Sequence, residues 1–248
     1  MSFVKQVTQK ETLKLTSRFG AIELRINCGA LATPVLMGNA RTAINGITLE
    51  VQKQGNSGQQ TIIAKSSLFD LAVLLGSGKL LSRMIGNNYY VSVMLPIADG
   101  SISFATGDEY HLFFDGAFGG YTIDLYSLDS PVKSDVFNFV ERISVKANAA
   151  IDVIIADAQE LMIPRADIQK IELLYSNGER LTYEEEEIAS ICRVSDGQIA
   201  IDMGKSVTFE ESPILAFGVN SVYSVKITTD SDTIVTKLSK RQIKVLNQ

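Results

Sequence analysis

The sequence predicts an all-β protein built from two tandem β-sandwiches. Three observations lead to this fold class: short segments alternate apolar and polar residues, Asn-Gly and Asp-Gly pairs lie between them, and similar segments recur in the same order in both halves. Alternation with a period of two is typical of strands with one buried face, and Asn-Gly or Asp-Gly suits tight hairpin turns. The 248 residues are enough for two domains.

Five segments show the alternation most clearly and are predicted as strands. They are residues 21–26, 47–51, 121–126, 198–202 and 221–227. Turn-forming residues separate the strands at 55–58, 98–100, 177–178 and 196–197. This spacing of short strands and turns is typical of a sandwich.

Helix signals are few, and each predicted helix is short. Ser66 and Ser67 are expected to cap a short helix through Leu68–Leu75, and Thr182 to cap one whose first turn holds the glutamates at 184–187. A third short helix is predicted around Phe137–Arg142, between the two halves. The first two would be insertions in a β fold.

Segments of the first half resemble segments of the second half, which predicts an internal duplication. The pairs that match are Gly20–Ile26 with Ala149–Ile155, Ile44–Leu49 with Ile168–Leu173, Ser103–Phe104 with Thr208–Phe209, Leu112–Phe114 with Leu215–Phe217, and Ile123–Leu125 with Val225–Ile227. The order of the segments is the same in both halves.

Each copy has about eight strands and one inserted helix, which favours a jelly roll over an immunoglobulin-like sandwich. The sequence therefore predicts two tandem jelly-roll β-sandwiches, a double jelly roll, each with a short inserted helix. The expected boundaries are an N-terminal arm at 1–17, a first roll at 18–130, a linker at 131–145, a second roll at 146–235 and a basic tail at 236–248.

Positive charge is concentrated near the two ends of an acidic chain. The net charge is −5, yet residues 1–18 carry +3 and residues 233–248 carry +4, so the residues between them carry −12. The two ends are either solvated or face something anionic, such as lipid headgroups or nucleic acid. On the second hypothesis the membrane-facing residues are Lys5, Lys10, Lys14, Arg18, Lys237, Lys240, Arg241 and Lys244.

The residues that carry catalytic or metal chemistry are sparse. His111 is the single histidine, which argues against a cupin-type metal site and is expected to be structural. Cys28 and Cys192 are expected to be buried, reduced thiols, and residues 116–120 a tight turn rather than a phosphate loop. The absence of tryptophan lowers the expectation of a sugar-binding cleft. We therefore expect no catalytic residues, bound metal or cofactor.

The order of elements resembles a known family. Ile44–Val51 leads through a turn and a strand into Ser66–Leu71, and Ile168–Leu174 leads into Ser176–Thr182. This progression resembles the double jelly-roll major capsid proteins of icosahedral, lipid-containing bacteriophages, especially the corticovirus-like ones. The resemblance covers residues 18–235 and is one of pattern, order and length.

The resemblance implies a viral major capsid protein, which is a structural protein and not an enzyme. It implies homotrimers that act as pseudo-hexameric tiles in an icosahedral shell over an internal membrane. The implied partners are other copies of the chain, penton and minor capsid proteins, and anionic lipid, without sequence-specific nucleic acid binding. The implied location is the capsid of the virion, after synthesis in the host cytoplasm.

Three alternatives remain open at this point. The chain could be another virion component, such as a spike or minor coat protein, or a tandem jelly-roll carbohydrate-binding module. A hydrolase on a β-sandwich is the third, although no catalytic constellation stands out.

Overall fold

The computed structural model describes residues 1–29, 44–55, 58–76, 79–102, 104, 107–148, 152–164, 168–184, 187–188, 199–202, 207–210 and 214–243. The chain divides into two compact units. Unit 1 comprises residues 1–138, 200–208 and 241–248, and unit 2 comprises 139–199 and 209–240.

The strands and the helix α1 are numbered in chain order. Strands of the first half are β1 Ser2–Val7, β2 Glu11–Leu15, β3 Ala21–Gly29, β4 Ile47–Gly55, β5 Gly58–Ser67, β6 Lys79–Ile85, β7 Asn88–Pro96, β8 Ser101–Ile102, β9 Glu109–Gly116, β10 Thr122–Leu128 and β11 Lys133–Ser134, with α1 at Leu68–Leu74. The later strands are β12 Val136–Val145, β13 Val153–Ile154, β14 Ala158–Pro164, β15 Ile168–Tyr175, β16 Arg180–Glu184, β17 Ile199–Asp202, β18 Val207–Glu210, β19 Ile214–Gly218, β20 Val222–Thr229 and β21 Thr233–Gln242.

Eight strands of unit 1 pair in a nested order. The first pairs with the last, β1 with β10, and then β2 pairs with β9, β3 with β7 and β4 with β5, all antiparallel. Further pairing of β10 with β3 and of β9 with β4 joins these hairpins in the strand orders β1-β10-β3-β7 and β2-β9-β4-β5, and the first order continues beyond β7 through β6, β17 and β18. This nested winding is a jelly roll.

Unit 2 repeats the same winding. Strand β12 neighbours β21, while β13 pairs with β20, β14 with β19 and β15 with β16. Pairing of β21 with β14 and of β20 with β15 completes the orders β12-β21-β14-β19 and β13-β20-β15-β16. The predicted double jelly roll is confirmed.

The common winding shows which strands of the two rolls are equivalent. This equivalence corrects part of the predicted repeat. Strand β4 corresponds to β15, so the match of Ile44–Leu49 with Ile168–Leu173 is confirmed. Three of the other matches are wrong by one strand, because alternating strands of similar length are interchangeable in sequence. They join β3 to the β13 region, β9 to β19 and β10 to β20, whereas the structural equivalents are β14, β20 and β21. The match of Ser103–Phe104 with Thr208–Phe209 includes Ser103, which lies outside the described residues.

Residues near the predicted boundaries also form strands. Residues 1–17, for which the sequence predicts an arm, contain β1 and β2 of unit 1. The short helix predicted around Phe137–Arg142 is wrong, since these residues lie in β12, with Phe137 and Phe139 each only 1% exposed. Residues 236–242 of the predicted basic tail belong to β21. The division of the chain into separate folding domains at 130 and 146 stays a prediction.

The predicted helix after Ser67 is confirmed. The Ser67 hydroxyl accepts a hydrogen bond from the backbone N–H of Asp70 at 3.0 Å, which satisfies one free donor of the first turn. Six of the seven residues of α1 are buried, so the helix contributes to the core of unit 1. In unit 2 the predicted cap Thr182 is wrong, because this residue lies in β16; only residues 187 and 188 beyond it are described as helical.

The strands predicted from alternation and the glycine-rich turn are observed. Strands β3 and β4 cover their predicted segments, β10 and β20 begin one residue after the predicted starts at 121 and 221, and β17 covers the described part of 198–202. Within residues 116–120, Gly119 and Gly120 have φ of 57° and 86°, and Tyr121 N–H donates to Phe118 O at 2.8 Å. These positive φ values explain the glycines. The predicted turn at 196–197 and Cys192 lie outside the described residues.

Candidate functional site

The predicted basic residues of the N-terminal segment each lie beside a carboxylate. Lys5 pairs with Glu11 and Lys14 with Glu109, while the Lys10 ammonium lies 3.3 Å from Asp115 and the Arg18 guanidinium 3.0 Å from Asp129. The cations are spread over β1, β2 and the segments that follow them. Their charge is therefore locally balanced rather than gathered into one positive patch.

These ion pairs stabilise the charged form of the carboxylates. Lys14, and after it His111, holds the pKa of Glu109 below its usual value. A hydrogen bond from Lys65, then the Gly116 N–H and Lys10, lowers the pKa of Asp115. Both carboxylates are therefore negative at neutral pH and offset the lysines around them.

The C-terminal basic residues differ from one another in exposure. The Lys237 ammonium is 2.7 Å from Glu141 and 2.9 Å from Asp157, and its side chain is only 9% exposed. The burial of Lys237 argues against a membrane-facing role for this residue. Lys240 is exposed and Arg241 half-buried, whereas Lys244 lies outside the described residues.

His111 lies on the outward face of the sheet β2-β9-β4-β5. Its Nε2 is 3.1 Å from Glu109 Oε2, and its ring stacks on Phe113 with centroids 6.1 Å apart. Among the described residues, no group of three or more His, Cys, Asp or Glu side chains could hold a metal ion. Burial raises the pKa of the Cys28 thiol to about 11, so this cysteine is unreactive at neutral pH.

A buried ion pair in unit 1 was not predicted. The Lys53 ammonium lies 3.0 Å from Asp108, and the two side chains are 8% and 5% exposed. Lys53 continues the inward series of Ile47, Leu49 and Val51 along β4. The alternation along β4 therefore indicates that Lys53 points inward, but no pattern in the sequence identifies its partner.

An aromatic cluster surrounds Tyr110 of β9. The ring of Tyr110 is 4.9 Å from Phe104, 5.4 Å from Phe19 and 6.2 Å from Phe137. Burial raises the pKa of Tyr110, and its hydroxyl has no hydrogen-bond partner among the described residues. The cluster packs the core of unit 1 and is not arranged for catalysis.

Unit 2 carries a charged cluster on the outward face of β13-β20-β15-β16. Glu172 is 3.3 Å from Arg180 and 3.5 Å from both Lys170 and Lys226. Partial burial raises the pKa of Glu172, but the three cations outweigh it and bring the pKa below its usual value. This arrangement joins three neighbouring strands and offers no nucleophile.

No helix in the described part of the chain is long and apolar enough to cross a membrane. No protein-family model matches the sequence, and no curated protein matches it. Similarity is found among solved structures, where the likeness extends over the whole chain.

Two solved structures share the fold. The major capsid protein P2 from bacteriophage PM2 aligns with a TM-score of 0.53 and 12% identity, covering 100% of this chain and 97% of that one. A chain from the atomic structure of Sulfolobus Turreted Icosahedral Virus aligns with a TM-score of 0.52 and 10% identity, covering 96% and 89%. A Bacillus subtilis oxalate decarboxylase reaches only 0.26, which is too low to carry an argument. The chain therefore has the fold of double jelly-roll viral capsid proteins.

Proposed function

We propose that this chain is a viral major capsid protein, located in the capsid of the virion, whose homotrimers tile an icosahedral shell. The observation that carries the proposal is the match over nearly the full length of both chains to the PM2 capsid protein, with two complete rolls in each. Three chains of two rolls give a six-roll tile with pseudo-sixfold shape. Closed sandwiches of this kind leave few free strand edges, as repeated packing requires.

The molar mass in solution tests this function. Light scattering on a sizing column should give a species of about 81 kDa, three times 27.1 kDa. Electron microscopy of the concentrated protein should then show flat arrays or shells. A monomer at high concentration that binds glycans would contradict the proposal and support a tandem carbohydrate-binding module.

We propose further that an internal membrane lies against the basic residues Lys5, Lys10, Lys14, Arg18, Lys240, Arg241 and Lys244. Exposure supports this for Lys10 and Lys5, whose side chains are 74% and 53% exposed. Exposed ion pairs are weak, so these ammonium groups can still attract anionic headgroups. Penton and minor capsid proteins are the other proposed partners.

Charge reversal tests the membrane contact. Lys5→Glu, Lys10→Glu and Lys14→Glu together should weaken binding to phosphatidylserine vesicles at low salt and leave binding to neutral vesicles unchanged. The matched control is Lys133→Glu, an exposed lysine of β11 outside the basic segment. Equal binding by the two variants would contradict the contact.

A further inference from the structure

A cavity of about 360 Å³ opens at one end of the roll in unit 1. It lies where β3 ends and where β7 and β10 begin, beside the glycine-rich turn between β9 and β10. Its volume is within the range of pockets that hold small molecules. We call it the polar pocket, after the four polar side chains that line it, Asn27, Asn88, Tyr121 and Thr122.

The strand register fixes one wall of the polar pocket. Asn27 of β3 lies opposite Thr122 of β10 on one side and opposite Tyr90 of β7 on the other. The Asn27 Nδ2 donates to the Tyr90 hydroxyl at 3.3 Å, and its Oδ1 accepts from the N–H of Gly29 at 2.9 Å. Because these bonds hold the amide in place, this wall is ordered before any ligand binds.

The other three polar side chains of the pocket have unused hydrogen-bonding capacity. Asn88, Tyr121 and Thr122 are half-buried, and their side chains have no hydrogen-bond partner in the described part of the chain. The amide of Asn88 supplies donors and an acceptor, and each of the two hydroxyls can both donate and accept. These groups are therefore available to a ligand.

Glycines keep the polar pocket open. Gly29 and Gly120 have φ of 81° and 86°, and a methyl group on either would meet no atom within 4 Å beyond its chain neighbours. A methyl group on Gly119 would come within 3.3 Å of Cε2 of Tyr121, so the Tyr121 ring lies against this glycine. The pocket therefore combines bare backbone with one aromatic ring.

The lining of the polar pocket indicates the class of ligand. None of the described residues that line it is charged, so a charged ligand would find no opposite charge there. An apolar ligand would leave the amide and the hydroxyls unpaired. A sugar fits better, because its hydroxyls both donate and accept and its C–H groups pack on aromatic rings. Tyr121 supplies the ring in a chain without tryptophan.

We propose that the polar pocket of unit 1 binds an uncharged sugar residue of a glycan. Asn88 and Thr122 bind the sugar hydroxyls, and the Tyr121 ring packs against the sugar. The inference goes beyond the proposed capsid function, which requires no sugar site. So few contacts give a dissociation constant of about 1 mM, but an assembly that repeats the site binds a glycan-bearing surface through many such contacts together.

Saturation-transfer NMR of the full chain tests the ligand class. The probes are the methyl glycosides of glucose, galactose, mannose, N-acetylglucosamine and, as the charged counterpart, N-acetylneuraminic acid. At least one uncharged glycoside should bind, and its binding should be the same in about 0.5 M NaCl, where charge interactions are screened. Failure of all four uncharged probes, or tighter binding of the charged one, would overturn the proposal.

Removal of two of the polar groups tests the location of the site. Asn88→Ala/Thr122→Val should bind the same glycoside at least about tenfold more weakly than the wild type. The matched control Thr12→Val/Asn220→Ala makes the same two changes at exposed positions outside the pocket, and it should bind like the wild type. Circular dichroism checks that both variants are folded. Unchanged binding by the pocket variant would overturn the assignment.

Two substitutions of Tyr121 separate the ring from its hydroxyl. Tyr121→Phe keeps the aromatic ring and should retain most of the binding, whereas Tyr121→Ala removes the ring and should weaken binding about tenfold. An equal loss in the two variants would overturn the packing of the sugar against the ring.

Light scattering on the same samples separates this proposal from the proposed function. A trimer that binds none of the uncharged glycosides would overturn the sugar site and leave the capsid function intact. A monomer that binds a glycoside through Asn88 and Thr122 would support the sugar site and overturn the capsid function.

Discussion

Among the residues whose burial is described, unit 1 and unit 2 each bury one lysine, but they balance its charge in different ways. In unit 1, Lys53 faces the single carboxylate of Asp108, and both side chains are almost fully enclosed. In unit 2, Lys237 lies between Glu141 and Asp157, whose side chains are 38% and 44% exposed. Two equivalent folds therefore contain a closed neutral pair in one case and a cluster open to water in the other.

The difference matters because removing one partner of an ion pair has a cost that depends on what remains. A carboxylate left without its cation inside a core cannot be hydrated, whereas one at the surface can. Replacing each lysine with methionine and comparing the losses in the free energy of unfolding therefore measures how far water is excluded from each cluster.

The largest effect is expected for Lys53→Met. The substitution keeps most of the apolar stem but leaves the buried Asp108 carboxylate without its cation, and we expect a loss of about 3–5 kcal/mol in the free energy of unfolding. Urea unfolding monitored by circular dichroism measures the change. The double variant Lys53→Met/Asp108→Leu should recover most of the stability, and no recovery would contradict the isolated-charge explanation.

Lys237→Met should have a smaller effect, of about 1–2 kcal/mol, because water can solvate Glu141 and Asp157 after the lysine is removed. The measurement is the same urea titration. A loss as large as that of Lys53→Met would show that the unit 2 cluster is as closed as the unit 1 pair.

Ser67→Ala tests a feature of unit 1 that has no described counterpart in unit 2. Loss of the hydrogen bond to the Asp70 N–H should destabilise the protein by about 1 kcal/mol. Ser67→Asp should restore most of this loss, because aspartate caps helices as well as serine does. Unfolding that is unchanged by Ser67→Ala would indicate that packing alone holds α1.

The smallest effect is expected for Asp115→Asn, on the outward face of unit 1. The pKa of Asp115 is depressed in the folded state, so its contribution to stability is present above its unfolded pKa and is lost as pH falls through the folded value. The variant should therefore unfold at slightly lower urea than wild type at pH 7, and the gap should close in strong acid. A gap that stays constant with pH would rule out the ionised carboxylate as its cause.

Much of the fold could be predicted because period-two alternation directly reports a half-buried strand. Strands β3, β4, β10 and β20 were found in this way, and the serines before α1 were identified by their capping chemistry. Strand β2 carries the same signal in Leu13 and Leu15, which are 7% and 3% exposed, but its lysine suggested an arm. Strand β12 was missed because a linker between two rolls suggested a helix.

The sequence does not indicate which side chains lie next to each other on neighbouring strands. Alternation predicts that Lys53 points inward, yet Asp108 lies 55 residues later along the chain and meets it only through the register of β4 with β9. The row of Phe3, Tyr126, Glu23 and Met94 likewise combines residues of four strands that are distant in sequence. The concentration of basic residues near the two ends can be counted in the sequence. Which carboxylates lie beside these residues is decided by the fold and could not be predicted.

The nested pairing of the jelly roll has a consequence for how the chain folds during synthesis. The innermost hairpin, β4 with β5, joins residues a few positions apart, such as Gly55 and Gly58, and can form early. The outermost pair links Ser2 with Ser127, so β1 must wait until β10 has left the ribosome. Until then its edge is unpaired, and the growing roll closes from its middle outward.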